Sequence, residues 1–353
     1  MLHVSAFFAL AVCTAITLCA AGTAAAQPVV AGATGAWAHK ASISISGSGF
    51  GTKATAAPVI WDDASGGSVQ EKWDGAWPDD NPLYKLDYRP PQRGIALPHS
   101  HITRYIAGAH GDSDGPNEGY NVILFKNRTV SSPSYSYMSW YQRADDAWSF
   151  GEDNNYKTFA YSAGFTPYEL PNNWYLAYNT PWPNSRTSGA DYIFGDDTNG
   201  KTLKFPDTNG HNQWWDNAVN PTAGAWTKVE LELKYTSQTD GFVKLWENGV
   251  LRVNYAGPTD RLPGVARTEG IGGFARRSGY AENWRYFADV YLDYSRARVI
   301  LGNAPTFAAS TVREVQVPTS WSDSSITLDV NLGVFMPGQH AYLYVVNESG
   351  AVN

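Results

Sequence analysis

An all-β sandwich is the fold class that this sequence predicts, and three observations predict it. Aromatic residues are abundant, with 14 Trp, 21 Tyr and 14 Phe making up 14% of the 353 residues, and they favour pleated, half-buried strands. Among the acids Asp outnumbers Glu 22 to 11, while 33 Gly and 20 Pro punctuate the chain, so turn formers displace helix formers. Apolar and polar residues also alternate at period 2 in short runs from one end of the chain to the other.

Residues 1–26 stand apart. They carry no Asp, Glu, Lys or Arg, hold an apolar run from Ala6 to Ala21, and end in Ala24-Ala25-Ala26 before Gln27. That pattern predicts a signal peptide and a secreted or otherwise extracytoplasmic protein. Both cysteines, Cys13 and Cys19, lie inside it, so 27–353 contains no thiol. A disulfide scaffold, a thiol nucleophile and a Cys-ligated metal are thereby excluded from that part. Leu18 stands before Cys19 where a lipoprotein needs a small residue, which argues against a lipid anchor. The net charge is −7 and no basic stripe is present, so nucleic acid is not an expected partner. After residue 26 no apolar stretch approaches the roughly 20 residues of a membrane-spanning helix.

The strands follow in order. Residues 41–46 (ASISIS) alternate until Gly47-Ser48-Gly49-Phe50-Gly51 breaks the run. Similar runs are 121–125, 134–143, 157–162, 174–178, 228–235, 242–246, 250–255, 284–294, 297–301, 325–330 and 341–346. Asp240-Gly241 and Asn248-Gly249 are tight-turn pairs, so 228–255 is expected to be a three-stranded meander. Asp197-Thr-Asn-Gly200 and Asp207-Thr-Asn-Gly210 repeat one turn around a short strand at 201–205. No helix signature stands out.

Two stretches carry resemblances. Trp226-Thr-Lys-Val-Glu-Leu-Glu-Leu, then Asp240-Gly-Phe-Val-Lys-Leu-Trp-Glu-Asn-Gly249, then Trp284-Arg-Tyr-Phe-Ala-Asp-Val-Tyr-Leu-Asp293 resemble the concanavalin A-like jelly roll of lectins, laminin-G modules, glucanases and polysaccharide lyases. With Trp61-Asp62-Asp63 as a first strand, the resemblance covers 58–296. Ile43-Ser-Ile-Ser-Gly-Ser-Gly-Phe-Gly51 resembles the opening of an IPT/TIG immunoglobulin-like module, and Trp321-Ser-Asp-Ser-Ser-Ile-Thr-Leu328 with Gly338-Gln-His-Ala-Tyr-Leu-Tyr-Val-Val346 resembles its later half. The expected organisation is therefore a signal peptide (1–26), the first part of a split module (27–57), an inserted jelly roll (58–296) and the rest of the module (297–353).

Glu230 and Glu232 share one strand face, but Val229, Leu231 and Leu233 claim the buried side, so both acids are expected to face solvent, and glycoside hydrolysis is disfavoured. What the resemblance to lyases implies is a cation or amide on the uronate carboxylate together with Tyr or His groups that move protons. Alternation puts Tyr135, Tyr137, Ser139, Tyr141 and Arg143 on one face with Met138 and Trp140 on the other, and sets Asn155, Lys157, Phe159 and Tyr161 together on a second strand. For cleavage, Tyr141, Tyr161, His101 and His211 are the proton-transfer candidates. Arg143 and Lys157 are the groups expected on the carboxylate, Asn155, Trp174, Trp214 and Trp215 are further substrate-binding candidates, and His99 and Arg104 lie near His101.

The same residue types also serve solubility and cross-strand pairing, and the Arg-x-Glu-x-Arg and Gln-Ile-His motifs of alginate lyases are absent. Aromatics point to sugar stacking: Trp73, Trp77, Trp174, Trp182, Trp214 and Trp215 sit where core periodicity is weak, whereas Trp140, Trp226 and Trp246 are expected in the core. No cofactor is required, although Asp112, Asp114, Asn117 and Glu118 leave room for a structural calcium. Asn127-Arg-Thr129 and Asn347-Glu-Ser349 are sequons. The balance favours a secreted protein that binds an extracellular polysaccharide, with uronate-containing glycans among the expected ligands. A polysaccharide lyase is the first alternative and a structural or adhesive surface protein the second. Oligomeric state is left open.

Overall fold

The computed structural model describes residues 26–77, 83–110, 121–128, 135–146, 155–162, 174–178, 190–194, 213–218, 222–236, 238–257, 259, 267–276 and 283–353. The expected signal peptide (apart from Ala26), the calcium candidates at 112–118, Trp182, the strand expected at 201–205 and His211 lie outside the described residues.

Strands are numbered in chain order, and every pairing among them is antiparallel. The long sheet runs β15 (Val250–Ala256), β14 (Phe242–Glu247), β13 (Thr227–Lys234), β8 (Tyr135–Ala144), β17 (Asn283–Asp293), β6 (Tyr105–His110) and β5 (Asp87–Arg89). An eighth strand, β3 (Ile60–Asp62), pairs with the far end of β17. A five-stranded sheet runs β10 (Trp174–Tyr178), β9 (Asn155–Ser162), β16 (Arg267–Arg276), β7 (Asn121–Arg128) and β4 (Gly75–Trp77). β11 (Ala190–Phe194) and β12 (Gln213–Ala218) form a separate pair. The chain ends build a small sandwich. One of its sheets runs β1 (Val29–Gly35), β2 (Ser42–Ser48), β21 (Ser325–Asp329), β20 (Val317–Trp321), and the other runs β19 (Arg313–Val315), β18 (Arg298–Gly302), β22 (Tyr342–Val346). The fold is all-β, a jelly-roll sandwich with a smaller sandwich at the chain ends.

The expected meander is present. β13, β14 and β15 pair in sequence, and Asn248 and Gly249 both take positive φ, 46° and 73°, as a two-residue turn matched to strand twist requires. Met138 and Trp140 from β8, Val229, Leu231 and Leu233 from β13, and Val243 and Leu245 from β14 form one buried cluster with Leu124 and Ile271 of the five-stranded sheet. Each such side chain contributes about 1.5–3 kcal/mol on leaving water. Ile43 and Ile45 of β2 join Ile326 and Leu328 of β21, with Val299 and Val345, in a second cluster inside the small sandwich.

Three aromatic expectations change. Trp73 is core, 3% exposed, with its indole N–H donated to buried Asp62 at 2.7 Å. Trp246 alternates with Val243 and Leu245, so it stands half-buried on the opposite, polar face. Trp226 precedes β13, is half-buried, and donates to Ala96 O at 2.8 Å. Trp140 is core, fully buried.

Candidate functional site

The face of the long sheet that turns away from the core is polar. β8 contributes Tyr135, Tyr137, Ser139, Tyr141 and Arg143 to it. Register then places Lys228, Glu230 and Glu232 of β13 beside Tyr141, Ser139 and Tyr137. On the other flank β17 brings Tyr286, Ala288, Tyr291 and Asp293 opposite Arg143, Tyr141, Ser139 and Tyr137. The register of β17 shifts between Ala288 and Tyr291, and Asp289 there has φ 48°. Such a bulge re-aims a side chain, and Asp is among the residues that tolerate this conformation.

Most of this face is covered. Glu230 and Glu232 are 3% and 4% exposed, contrary to the solvent-facing position expected for them, because the small sandwich packs over them. Arg313 Nε stands 2.8 Å from Glu230, whose other oxygen accepts Tyr137 Oη at 3.0 Å. Arg296 and Arg298 stand 3.1 and 3.6 Å from Glu232, and the Arg298 guanidinium also covers the Tyr137 ring at 4.1 Å. Burial raises the Glu232 pKa, but the two Arg residues outweigh it and hold the carboxyl below its ordinary range. Lys53 Nζ meets Asp293 at 2.5 Å, and Tyr291 Oη donates to the same carboxylate at 2.9 Å.

Tyr141 is 6% exposed, and its phenol donates to Glu314 of the small sandwich. Burial first, and then Glu314, push its pKa well above the usual phenol value. Lys228 Nζ reaches the same carboxylate at 3.2 Å and lies 4.3 Å from the Tyr141 ring centroid. Next to this group stands a histidine cluster. His99 Nε2 donates to Asp289 at 2.7 Å, with its ring 6.0 Å from Tyr141. His101 Nε2 donates to Phe335 O at 3.1 Å, and its ring stacks on His39 at 5.0 Å. Among the described residues no group of His, Asp and Glu is arranged to hold a metal ion.

Beyond the small sandwich the polar face continues to an aromatic and arginine-rich end. Tyr286 packs edge-on against Tyr105 at 5.0 Å and stacks with Trp284 at 6.2 Å. Arg89 and Arg93 lie 5.1 and 5.6 Å from the Trp284 ring, and the Arg93 side chain is 46% exposed. Arg143 pairs with Asp146 through its Nη2, but its buried Nε and the buried Tyr286 Oη have no hydrogen-bond partner among the described residues. Burial first, and then Asp145, hold the Tyr286 phenol pKa well above its usual value.

The other sequence candidates sit elsewhere. Asn155, Lys157 and Tyr161 are on β9 in the five-stranded sheet, where Trp174 of β10 pairs with Tyr161. Trp214 and Trp215 are on β12, paired with Ile193 and Tyr192. The side chains of these six residues lie outside the described residues. Asn347 is 4% exposed and its amide faces Gly49 O at 3.4 Å, which leaves no room for a glycan on that sequon. Glu314, Lys228, Asp289, Tyr105, Tyr286 and Trp284 were not sequence candidates. For Tyr286 and Trp284 the period-2 pattern of 284–294 was the available signal.

No family model and no curated protein matches the chain. Solved structures similar to it include an endo-β-1,4-glucuronan lyase from the fungus Trichoderma reesei, at 14% identity and TM-score 0.44 over 63% of this chain and 90% of that one. Alginate lyase Aly36B is similar at 13% identity and TM-score 0.40, over 72% of this chain and 98% of that one. The cellulose-induced protein Cip1 is similar at 17% identity and TM-score 0.39, over 67% and 97%.

Proposed function

We propose that the protein is exported and binds an acidic, uronate-containing extracellular polysaccharide at the Arg143 end of its long sheet. One observation carries this reading: Arg143 and Tyr286, opposite each other on β8 and β17, hold a guanidinium N–H and a phenol on a polar face with no hydrogen-bond partner among the described residues. A guanidinium recognises a carboxylate, and a phenol pairs with a sugar hydroxyl. Arg89 and Arg93 beside Trp284 add positive charge at the same end. In this reading the small sandwich is an IPT/TIG-like module split into 27–57 and 297–353 around a jelly roll at 58–296.

A lyase is the second reading, and the gathering of Tyr141, Lys228 and His99 favours it. Binding is preferred because the Tyr141 phenol is spent on Glu314, so it is not available to move a substrate proton. The test is affinity electrophoresis through gels of polyglucuronate, alginate and a neutral glucan, with ultraviolet absorbance of unsaturated uronate followed in parallel. Retardation by the acidic gels with flat absorbance supports binding. A rise in absorbance moves the assignment to a lyase, and neither response leaves a structural or adhesive role.

A further inference from the structure

Among the described residues the seam between the small sandwich and the long sheet has a consistent electrical sense with one exception. The sheet presents acids, Glu230, Glu232 and Asp293, and the chain ends present bases, Arg313, Arg296, Arg298 and Lys53. At Lys228 the sense inverts. There the sheet offers a cation and the Tyr141 phenol, and the small sandwich answers with Glu314, which is fully shielded from solvent. One Glu314 oxygen takes the Tyr141 phenol and the Val334 N–H at 3.3 Å, and the other takes Lys228 Nζ at 3.2 Å. Tyr141 and Lys228 come from adjacent strands in direct register, so the sheet alone sets up this anion receptor.

Its position gives it a ligand class. Tyr141 is two residues from Arg143 on the same face of β8, a rise of about 7 Å. A glycan bearing carboxylates that is held at Arg143 would therefore meet Tyr141 and Lys228 as its next subsite. We propose that Glu314 is a built-in stand-in for a glycan carboxylate, so that lifting the small sandwich opens a second uronate subsite made by Tyr141 and Lys228. This rests on the reading of Arg143 as part of a glycan surface.

The joint is suited to opening. The small sandwich is tied to the long sheet by two connections, 49–59 between β2 and β3 and 294–297 between β17 and β18, and Lys53 on the first pairs with Asp293 at the start of the second. The ion pairs buried in this seam add little net hold, because desolvation of both charges offsets most of their attraction. Polar contacts between units of one chain commonly permit relative motion.

The experiment is calorimetric titration of the full chain with glucuronate oligomers, comparing wild type, Glu314→Gln and Arg143→Ala. Glu314→Gln keeps the shape of the stand-in and removes its charge, so oligomers should bind about fivefold tighter or better, the scale of a typical coupling between sites. Should Glu314→Gln not fold, Arg313→Gln decides, since it loosens the seam and leaves Glu314, Tyr141 and Lys228 untouched. A folded Glu314→Gln, or in its place Arg313→Gln, with wild-type affinity overturns the inference. If that happens while Arg143→Ala still weakens binding, the glycan reading survives without the stand-in. If wild type does not bind and Glu314→Gln does, the stand-in survives and the Arg143 surface falls.

Discussion

Arg313 Nε lies 2.8 Å from Glu230 Oε1 across the seam, with each side chain 3% exposed. Tyr137 donates to the second Glu230 oxygen, so removing the acid strands a buried guanidinium and a buried phenol together. Glu230→Ala is predicted to cost about 3–5 kcal/mol, whereas Glu230→Leu with Arg313→Met should cost far less, because a paired apolar replacement leaves no orphaned charge. Urea unfolding of the three proteins checks this. Equal losses in the single and the double variant would show that the pair itself, rather than its burial, holds the seam.

Tyr286→Phe separates stability from binding. The phenol is buried and has no partner among the described residues, so deleting it relieves a desolvation cost, and the variant should be about 1 kcal/mol more stable. Glycan affinity should fall in the same variant. Chemical denaturation and titration on one preparation test both halves, and a destabilised variant with intact affinity would remove Tyr286 from the binding surface.

His39 makes the seam acid-sensitive. Burial, followed by His101 and Lys40, holds the His39 pKa below its ordinary 6.5, with Asp289 pulling weakly the other way and His99 adding to the depression. Lys40 is itself paired to Asp63 at 2.9 Å, and His99 to Asp289. Because the folded pKa is lowered, the unfolded chain takes up the proton first as pH falls. His39 therefore has no effect on stability well above 6.5 and subtracts from it progressively as pH falls from 6.5 towards the folded pKa. The difference in unfolding free energy between wild type and His39→Phe should change across that window, and a pH-independent difference would refute the assignment.

Trp73→Phe should destabilise without touching glycan binding. Its indole is one of several donors on Asp62, which also accepts from Tyr88 Oη at 2.8 Å and Ala64 N at 3.0 Å. Losing a hydrogen bond to a buried carboxylate costs about 1.5–3 kcal/mol. A thermal melt and a glycan titration are sufficient, and weakened binding at unchanged stability would return Trp73 to the list of sugar contacts.

Alternation alone revealed the strands and their faces. Met138 and Trp140 point into the core and Tyr137, Tyr141 and Arg143 away from it, as period 2 required. The Asn248-Gly249 turn was legible because its positive φ values demand such residues. The burial of Glu230 and Glu232 was not legible. Val229, Leu231 and Leu233 do face the core, but the opposite face is closed by Arg296, Arg298 and Arg313, which are 64 or more positions away, and local pattern carries no trace of that. Trp73 misled because a tryptophan in a loop has no periodicity to reveal its partner, Asp62, eleven positions earlier. His99 stood out in the sequence, while its acceptor Asp289 could be found only through the bulge in β17.

Affinity electrophoresis of wild type and Arg143→Ala through polyglucuronate and neutral glucan gels tests the proposed function most directly. Wild type should be retarded by polyglucuronate and not by the neutral glucan, and Arg143→Ala should migrate freely in both at unchanged thermal stability. Equal retardation of the two proteins, or equal retardation in the two gels, would contradict an acidic-glycan surface built on Arg143.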